Sequence, residues 1–479
     1  MDNKQTLQQK IYSNLELHKT QFKSLINTLN SRLQESSNRR NILVLASTFL
    51  MISIGIYFFS VFHNDLNTIN TNQKSVWVMS FITIATCITV FKVLLFLFML
   101  YQYVKYKPVA SVTNEELPTC TIIVPAYNEG KQVWDTLMSL VDSDYPKHKL
   151  ELLAIDDGSK DDTWEWMLKA KEQLGDRLVI LQQPENQGKR HALYRGFNLG
   201  TGDIFVTVDS DSIVTSNTLR NLVSPFVKNE DCGAVAGNIR VLNNKKEIFP
   251  KMLDVSFVLS FEFVRSAESN LNSVLCTPGA LAAYRKTAVY NCLPEWINQT
   301  FMGKPSDIGE DRAMTNMILK QGKHVLFQRN AVAYTNVPEE YTGLYKMFIR
   351  WGRSNVRENL EMTKYIFKNF RKGDKSGIRL LFMSQFLEMI MSYPFLIVMA
   401  LFIATHPLLF LGSTLASILI LSSFSVVFYS YHYKISESIW AYTYSILYTF
   451  GLFWITPYAI ATAGKRGWLT RDLTPKALT

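Results

Sequence analysis

Apolar positions along this chain come in blocks. Residues 41–62 and 76–105 are almost unbroken apolar runs, and the zone from 379 to 462 divides into segments at 384–404, 407–431 and 437–462. A helix rises about 1.5 Å per residue, so each run can cross about 30 Å of hydrocarbon. Counted as single spans they number five and leave the C-terminus outside, whereas Lys465, Arg466, Arg471 and Lys476 favour the inside. One apolar segment is therefore expected to be re-entrant or interfacial, or to merge two helices. In residues 1–40, Ile11, Leu15, Phe22, Leu25, Ile26, Leu29 and Leu33 suit one helix face. Lys10, Lys19, Lys23, Arg32, Arg39 and Arg40 place that segment in the cytoplasm, as a bilayer-surface helix or a coiled-coil partner. These 40 residues are too polar for a cleavable signal, so the N-terminus is expected to stay attached. The loop His63–Ser75 carries little charge, as an outside loop should.

Between the apolar blocks the pattern changes. Strands are predicted at Cys120–Pro125, Leu150–Ile155, Leu178–Gln182 and Asp203–Val208, separated by helices such as Lys131–Val141 and Asp162–Leu174. This alternation predicts a parallel sheet, whose ligand lies beyond the carboxyl ends of the strands. The segments at those ends are strongly polar: Ala126-Tyr127-Asn128-Glu129, Asp156-Asp157-Gly158-Ser159 and Asp209-Ser210-Asp211. A basic, interfacial helix is expected over 364–383, ahead of the C-terminal apolar segments.

Composition narrows the class. Of 479 residues 48% are hydrophobic and 19% charged, which with the long apolar runs excludes a soluble globular enzyme and a disordered chain. The net charge of +10 is explained first by cytoplasmic Lys and Arg of a membrane protein. Nucleic acid is not an expected partner, because no basic run interleaved with aromatics appears. Cys87, Cys120, Cys232, Cys276 and Cys292 form no C-x-x-C pair, which predicts a reducing compartment and no zinc site.

Several residues can carry chemistry. Asp209 and Asp211 lie two apart at a strand end and so share a face; paired carboxylates call for a cation, and hard oxygen ligands suit Mg²⁺ or Mn²⁺. Such an ion can neutralise a departing diphosphate. Asp156, Asp157 and Glu129 can accept hydrogen bonds from a nucleobase or ribose, or simply close turns. Gly188-Lys189-Arg190 before a helix at His191–Leu199 offers a diphosphate site, or a solvated cationic turn. Asp311, in Ile308-Gly309-Glu310-Asp311-Arg312, is a candidate general base for an attacking hydroxyl, or the N-cap of a helix at Ala313–Lys320. Arg350-Trp351 can bind phosphate and stack under a sugar ring, or anchor at a membrane interface.

Together these motifs resemble the processive membrane glycosyltransferases of family 2, the hyaluronan, chitin-oligosaccharide, cellulose and alginate synthases, with the hyaluronan type nearest. The resemblance runs from Pro118 to Glu358 and returns at Lys465–Arg471. It is carried by Asn298-Gln299-Thr300-Phe301-Met302-Gly303-Lys304-Pro305 leading into Gly309-Glu310-Asp311-Arg312 and Thr315-Asn316, and by Arg350-Trp351, Ser354 and Arg357-Glu358. It implies a GT-A-like α/β domain at 118–363, cytoplasmic and inserted in a multi-span α-helical protein of the plasma membrane. Two spans at 41–105 precede it, membrane or interfacial helices at 384–464 come after it, and a tail at 465–479 ends the chain.

By resemblance, Asp157 and Glu129, with Tyr127 and Asp156, hold the uridine of a UDP-sugar, Lys189 the diphosphate, and Asp211 the Mg²⁺ or Mn²⁺. Asp209 lies nearer the ribose and donor sugar. Asp311 is the base, with Glu310 beside it. Trp351 forms the acceptor floor, Arg350 reaches the nucleotide phosphates, Tyr284 and Arg285 belong to the acceptor-side loop, and Trp468 and Arg471 to a segment that closes over UDP. Lys92, Glu388 and Tyr393 are candidates to line an export channel for the growing polysaccharide, with membrane lipid around it.

Three positions depart from the family pattern: Met347 replaces a usual Gln, Ala280 a usual Pro, and Leu469 a usual Gly. The alginate polymerases also lack that Gln, so mannuronan, chitin and other β-glycans stay open as products. Addition of one sugar to a polyprenyl phosphate stays open too, and a transporter or binding-only scaffold would leave the acids after successive strands unexplained.

Overall fold

The computed structural model describes residues 46–57, 76–245, 247–433 and 435–465, with isolated positions at 20, 24, 27 and 60. The amphipathic pattern of 1–40, the loop 63–75, and Trp468 and Arg471 lie outside these residues or touch them only at isolated points.

Two apolar helices come first, α1 (Ala46–Tyr57) and α2 (Val76–Lys105). The sheet domain is next. Its strands are β1 (Cys120–Ala126), β2 (Leu150–Asp156), β3 (Leu178–Gln182), β4 (Ile204–Thr207), β5 (Ser212–Val214), β6 (Cys232–Val241) and β7 (Ala282–Arg285); β8 (Thr300–Phe301) and β9 (Lys304–Pro305) form a separate hairpin, and β10 (His324–Thr335) returns to the sheet. The eight-stranded sheet runs β3-β2-β1-β4-β7-β6-β10-β5. It is parallel except for β7, antiparallel to β4 and β6, and β5, antiparallel to β10.

The apolar strand runs are buried on both sides. Ile122, Val124, Ile204 and Val206 enter one core, while Ile123, Phe205, Ala234 and Ala236 enter the other. Period-two alternation without a polar face is what a helix-covered parallel sheet requires. The covering helices are α3 (Gln132–Val141), α4 (Thr163–Leu174), α5 (Lys189–Leu199), α6 (Thr218–Lys228), α7 (Ile248–Phe257), α8 (Glu310–Lys320) and α9 (Tyr341–Thr363). The predicted strands and first helices are thus present to within a residue or two of their expected ends.

The C-terminal apolar zone resolves into α10 (Ser376–Thr405), α11 (Pro407–His432), α12 (Trp440–Ile446) and α13 (Ile455–Ala461). Thr86–Lys105 of α2, all of α10 and all of α11 are long and apolar enough to cross a membrane. The segment 437–462 is not one span. A π-helical stretch at Leu447–Gly451 separates α12 from α13, and each of these has 7 residues, about 10 Å of helix against about 30 Å of hydrocarbon. The separate helix expected over 364–383 is also absent. Turns lead through Gly373, at φ 83°, to Lys375, and Asp374 accepts the Ser376 N–H at 3.0 Å where α10 begins.

The helix that carries Asp311 is set by its own entry glycine. Gly309 has φ 78°, and a Cβ there would meet Ser354 Oγ at 2.0 Å and Ser354 Cβ at 2.6 Å, so rotating the serine does not relieve the overlap. α8 therefore seats directly on α9. Gly309→Ala is expected to destabilise the chain by about 1–3 kcal/mol through the left-handed backbone alone, with the overlap adding to it. A thermal unfolding midpoint equal to that of the parent would disprove this seating.

Candidate active site

The polar segments beyond the strand ends meet at one end of the sheet, and a continuous series of contacts joins them. Asp157 lies just after β2 and accepts the backbone N–H groups of Gln187 at 3.0 Å and Gly188 at 2.8 Å, with the Gln183 amide at 2.5 Å. Burial pushes its carboxyl up to about 6 against the pull of those donors. Asp156 is fully buried and accepts from Ser159 N–H, Ser159 Oγ and, at 2.9 Å, Gln182 Nε2. Asp157 thus shapes the loop that starts α5, and Asp156 the turn after β2. Tyr127 is buried beside them. The backbone of Glu129 is fixed by Thr163 Oγ1 at 2.8 Å.

Lys189 opens α5 and is the cation of the cluster. Its Nζ pairs with Asp209 Oδ1 and lies 3.2 Å from Glu310 Oε1. Burial works to lower its pKa, but the two carboxylates outweigh it and hold the ammonium well above its usual range. Arg190 does not join it: it is buried, donating to Trp296 O at 2.6 Å and to Gln299 Oε1 at 3.1 Å. The cause is helical phase, since α5 starts two residues earlier than its sequence predicts and turns Arg190 inward.

Gly279 closes the cluster. A Cβ there would lie 2.6 Å from Lys189 Nζ, and its N–H donates to Asp311 Oδ2 at 3.1 Å. Asp311 Oδ1 takes the Arg312 N–H at 2.7 Å. Asp311 lies within the first turn of α8 rather than before it. Burial, with Glu310 alongside, pushes its carboxyl up to about 6, while Lys189 opposes the rise. Glu310 is 5% exposed.

Asp211 lies across the β4–β5 turn, and its Oδ1 accepts from Thr335 Oγ1 at 3.1 Å and Ser212 Oγ at 3.3 Å. Among the described residues no group of three or more His, Cys, Asp or Glu side chains gathers as a metal cage. A half-buried carboxylate at the cluster's edge instead fits the way Mg²⁺ is held, by one or two carboxylates and substrate phosphates.

Trp351 on α9 is 39% exposed, its ring 6.2 Å from Phe257 and 5.6 Å from Phe348. Arg350 is half-buried next to it. It lies one turn before Ser354, which touches Gly309, so its helix face borders the acid cluster. Of the two residues expected on the acceptor side, Arg285 lies elsewhere, whereas Tyr284 lines a small cavity together with Lys189, Gly279, Glu310 and Asp311. Arg285 pairs with Ile204 at the far end of β4 and donates to Cys232 O at 2.9 Å and Phe226 O at 3.0 Å. Tyr284 is 2% exposed, its hydroxyl 2.9 Å from Thr277 Oγ1.

Contacts between the sheet domain and the apolar helices were not foreseen as pairs. Arg312 donates to Gln385 of α10 at 2.6 Å, and three residues further along that helix Glu388 pairs with Lys92 of α2 at 2.9 Å. A lone Gln in an apolar run is the signal that would have marked Gln385. Arg357 donates to Ala463 O at 2.7 Å and Lys465 O at 2.8 Å, fixing the chain just before the tail.

Several known proteins are similar to this chain. Residues 118–354 match the family described as Glycosyltransferase like family 2. An N-acetylglucosaminyltransferase of Rhizobium meliloti (strain 1021) is 32% identical over 248 residues, covering 52% of this chain and 58% of that protein. A hyaluronan synthase of Streptococcus pyogenes is 30% identical over 252 residues, covering 52% of this chain and 59% of that protein. The chain thus aligns with rather more than half the length of these relatives. Among solved structures, the mannosyltransferase PcManGT from Pyrobaculum calidifontis, in complex with GDP-Man and Mn²⁺, is similar with a TM-score of 0.48 at 20% identity, covering 78% of this chain and 96% of that one. Residues 118–354, the span that holds the Lys189, Asp209, Asp211 and Asp311 cluster, are a family 2 glycosyltransferase domain.

Proposed function

We propose that the chain is a polysaccharide synthase of the hyaluronan and chitin-oligosaccharide type. In this reading it transfers sugars from UDP-sugar donors to a growing β-linked glycan on the cytoplasmic face of the plasma membrane and passes the product between its own helices. The observation that carries the reading is the junction at α8: Asp311 faces the Lys189 cluster, and the next residue, Arg312, bonds Gln385 on an apolar helix of membrane-spanning length. A catalytic acid and the start of a membrane path are therefore adjacent along the chain.

These groups support the following chemistry. The hydroxyl oxygen of the acceptor attacks the anomeric carbon, and the bond from that carbon to the β-phosphate oxygen breaks with its electron pair leaving on UDP. One displacement inverts an α-linked donor to a β-linkage. Asp311 takes the hydroxyl proton, for which a carboxylate raised to about 6 is a better base than an ordinary one. Lys189 exchanges Asp209 and Glu310 for the diphosphate, and Asp211 would hold a divalent cation whose charge stabilises the departing diphosphate. Trp351 offers a ring face to the acceptor sugar.

The relatives' names bring UDP-N-acetylglucosamine to the front as donor. Purified protein given labelled UDP-N-acetylglucosamine and UDP-glucuronate, singly and together, tests the product. A polymer that needs both supports hyaluronan, one from UDP-N-acetylglucosamine alone supports a chitin-type chain, and a single lipid-linked sugar contradicts polymerisation.

Asp311→Asn is expected to abolish transfer while leaving UDP binding nearly unchanged; retained transfer would remove the base assignment. A base must be deprotonated to act, so kcat/KM should rise with pH through about 6 and level above it. A rate flat from pH 5 to 8 would contradict that role.

Lys92 and Glu388 lie in apolar helices, where one charge left alone is costly. Glu388→Ala should lower the amount of folded protein in membranes severalfold, and Lys92→Ala in the same chain should recover part of it. No recovery in the double variant would show that the two do not act as a pair.

A further inference from the structure

The residues behind Asp311 form a directed chain of hydroxyls that the transfer reaction itself does not use. Thr315, one turn after Asp311 on α8, donates from Oγ1 to Asp311 O at 2.8 Å. Its single proton is then committed, so its lone pairs accept the other two contacts, Thr277 N–H at 3.0 Å and Thr277 Oγ1 at 2.7 Å. Thr277 has in turn spent its proton on Thr315. Its 2.9 Å contact with Tyr284 must therefore be donated by the tyrosine. Thr277 and Thr315 are 0% exposed and Tyr284 2%, so no solvent substitutes for a missing partner.

The order Tyr284, Thr277, Thr315, Asp311 O joins β7, the loop after Cys276 and α8 into one unit. Two residues beyond Thr277, this brings the Gly279 N–H to 3.1 Å from Asp311 Oδ2, while Arg312 N–H holds Oδ1 at 2.7 Å. Both carboxylate oxygens are thereby oriented, and one of the two orienting donors belongs to the loop that the hydroxyls hold. A Cβ at Gly279 would lie 2.6 Å from Lys189 Nζ, so a larger residue there would push the ammonium aside.

We propose that Tyr284, Thr277 and Thr315 form a hydroxyl relay that positions the Asp311 carboxylate, with Thr315 as its central positioning residue. The proposal rests on the reading of Asp311 as the base. It also gives Tyr284 a place beneath the site, in contrast to the acceptor contact that the family resemblance implies.

The test is Thr315→Val, which keeps the shape and removes the hydroxyl, assayed as UDP release from UDP-N-acetylglucosamine, with UDP-glucuronate also present if the wild type needs it. Without the hydroxyl, Thr277 N–H and Oγ1 lose their acceptor and the loop must shift to find another. Expected are a fall in kcat of about tenfold or more, the scale of a small misplacement of a reacting group, and a donor KM within about twofold of the parent. The acid limb of the pH profile should move upward, because the Gly279 N–H no longer favours the charged carboxylate. Thr315→Ser should restore kcat and the acid limb, and Tyr284→Phe should shift the profile in the same direction by less.

Parental kcat and acid limb in Thr315→Val would overturn the relay. So would a loss of activity with an unmoved acid limb that Thr315→Ser fails to repair. If Thr315→Val yields no folded protein, the same readouts on Tyr284→Phe decide. Transfer by Asp311→Asn would instead defeat the base reading, whatever happens at position 315.

Discussion

The constraint on which the site depends is a surplus of negative charge crowded at one end of the sheet. Asp209, Glu310 and Asp311 lie at the carboxyl end of one sheet with Lys189 as the cation in direct contact, bridging Asp209 and Glu310. Carboxylates crowded in this way repel unless cations intervene. The chain meets the problem with the Lys189 ammonium and with a proton affinity of Asp311 raised by burial. In the proposed reaction, a divalent cation near Asp211 would offset the negative charge that a nucleoside diphosphate brings to Lys189.

Rigidity around that charge comes from packing and from buried hydrogen bonds of neutral groups. Gly309 seats α8 on α9, Gly279 admits the loop against Lys189, and the 277–315 hydroxyl contacts tie loop to helix. On the far side of α8, Gln299 Nε2 and Asn316 Nδ2 hold the two oxygens of Glu358 at 2.8 and 2.7 Å, so α9 is joined to α8 by amides as well as by contact. α13 packs on α9 near Gly352, and Arg353 donates to Thr462 Oγ1 at 3.0 Å. The last apolar segment is accordingly bound to the catalytic domain, which explains why it breaks into short helices in place of a single span.

Much of this was legible in the sequence because it rests on local periodicity. The first strands and the acids behind them are signalled by short β-rich runs with polar ends, and the apolar runs of α2, α10 and α11 by length alone. What was not legible depends on rotation about an element or on partners far away in the chain. Arg190 and Lys189 are neighbours, yet helical phase sends one into the core and the other into the site. Arg285 looks like part of an acceptor loop, but the antiparallel pairing of β7 carries it to the opposite end of the sheet. No short-range pattern announces that Arg312 meets Gln385, 73 residues away.

If the Lys189 cluster is a metal-assisted diphosphate site, nucleotide and cation must bind there together. Calorimetric titration of UDP into the purified full chain, with and without Mg²⁺, measures this directly, with Lys189→Ala run alongside. UDP binding should strengthen markedly with the cation and be lost in Lys189→Ala. Equal binding without the cation, or unchanged binding by the variant, would contradict the assignment.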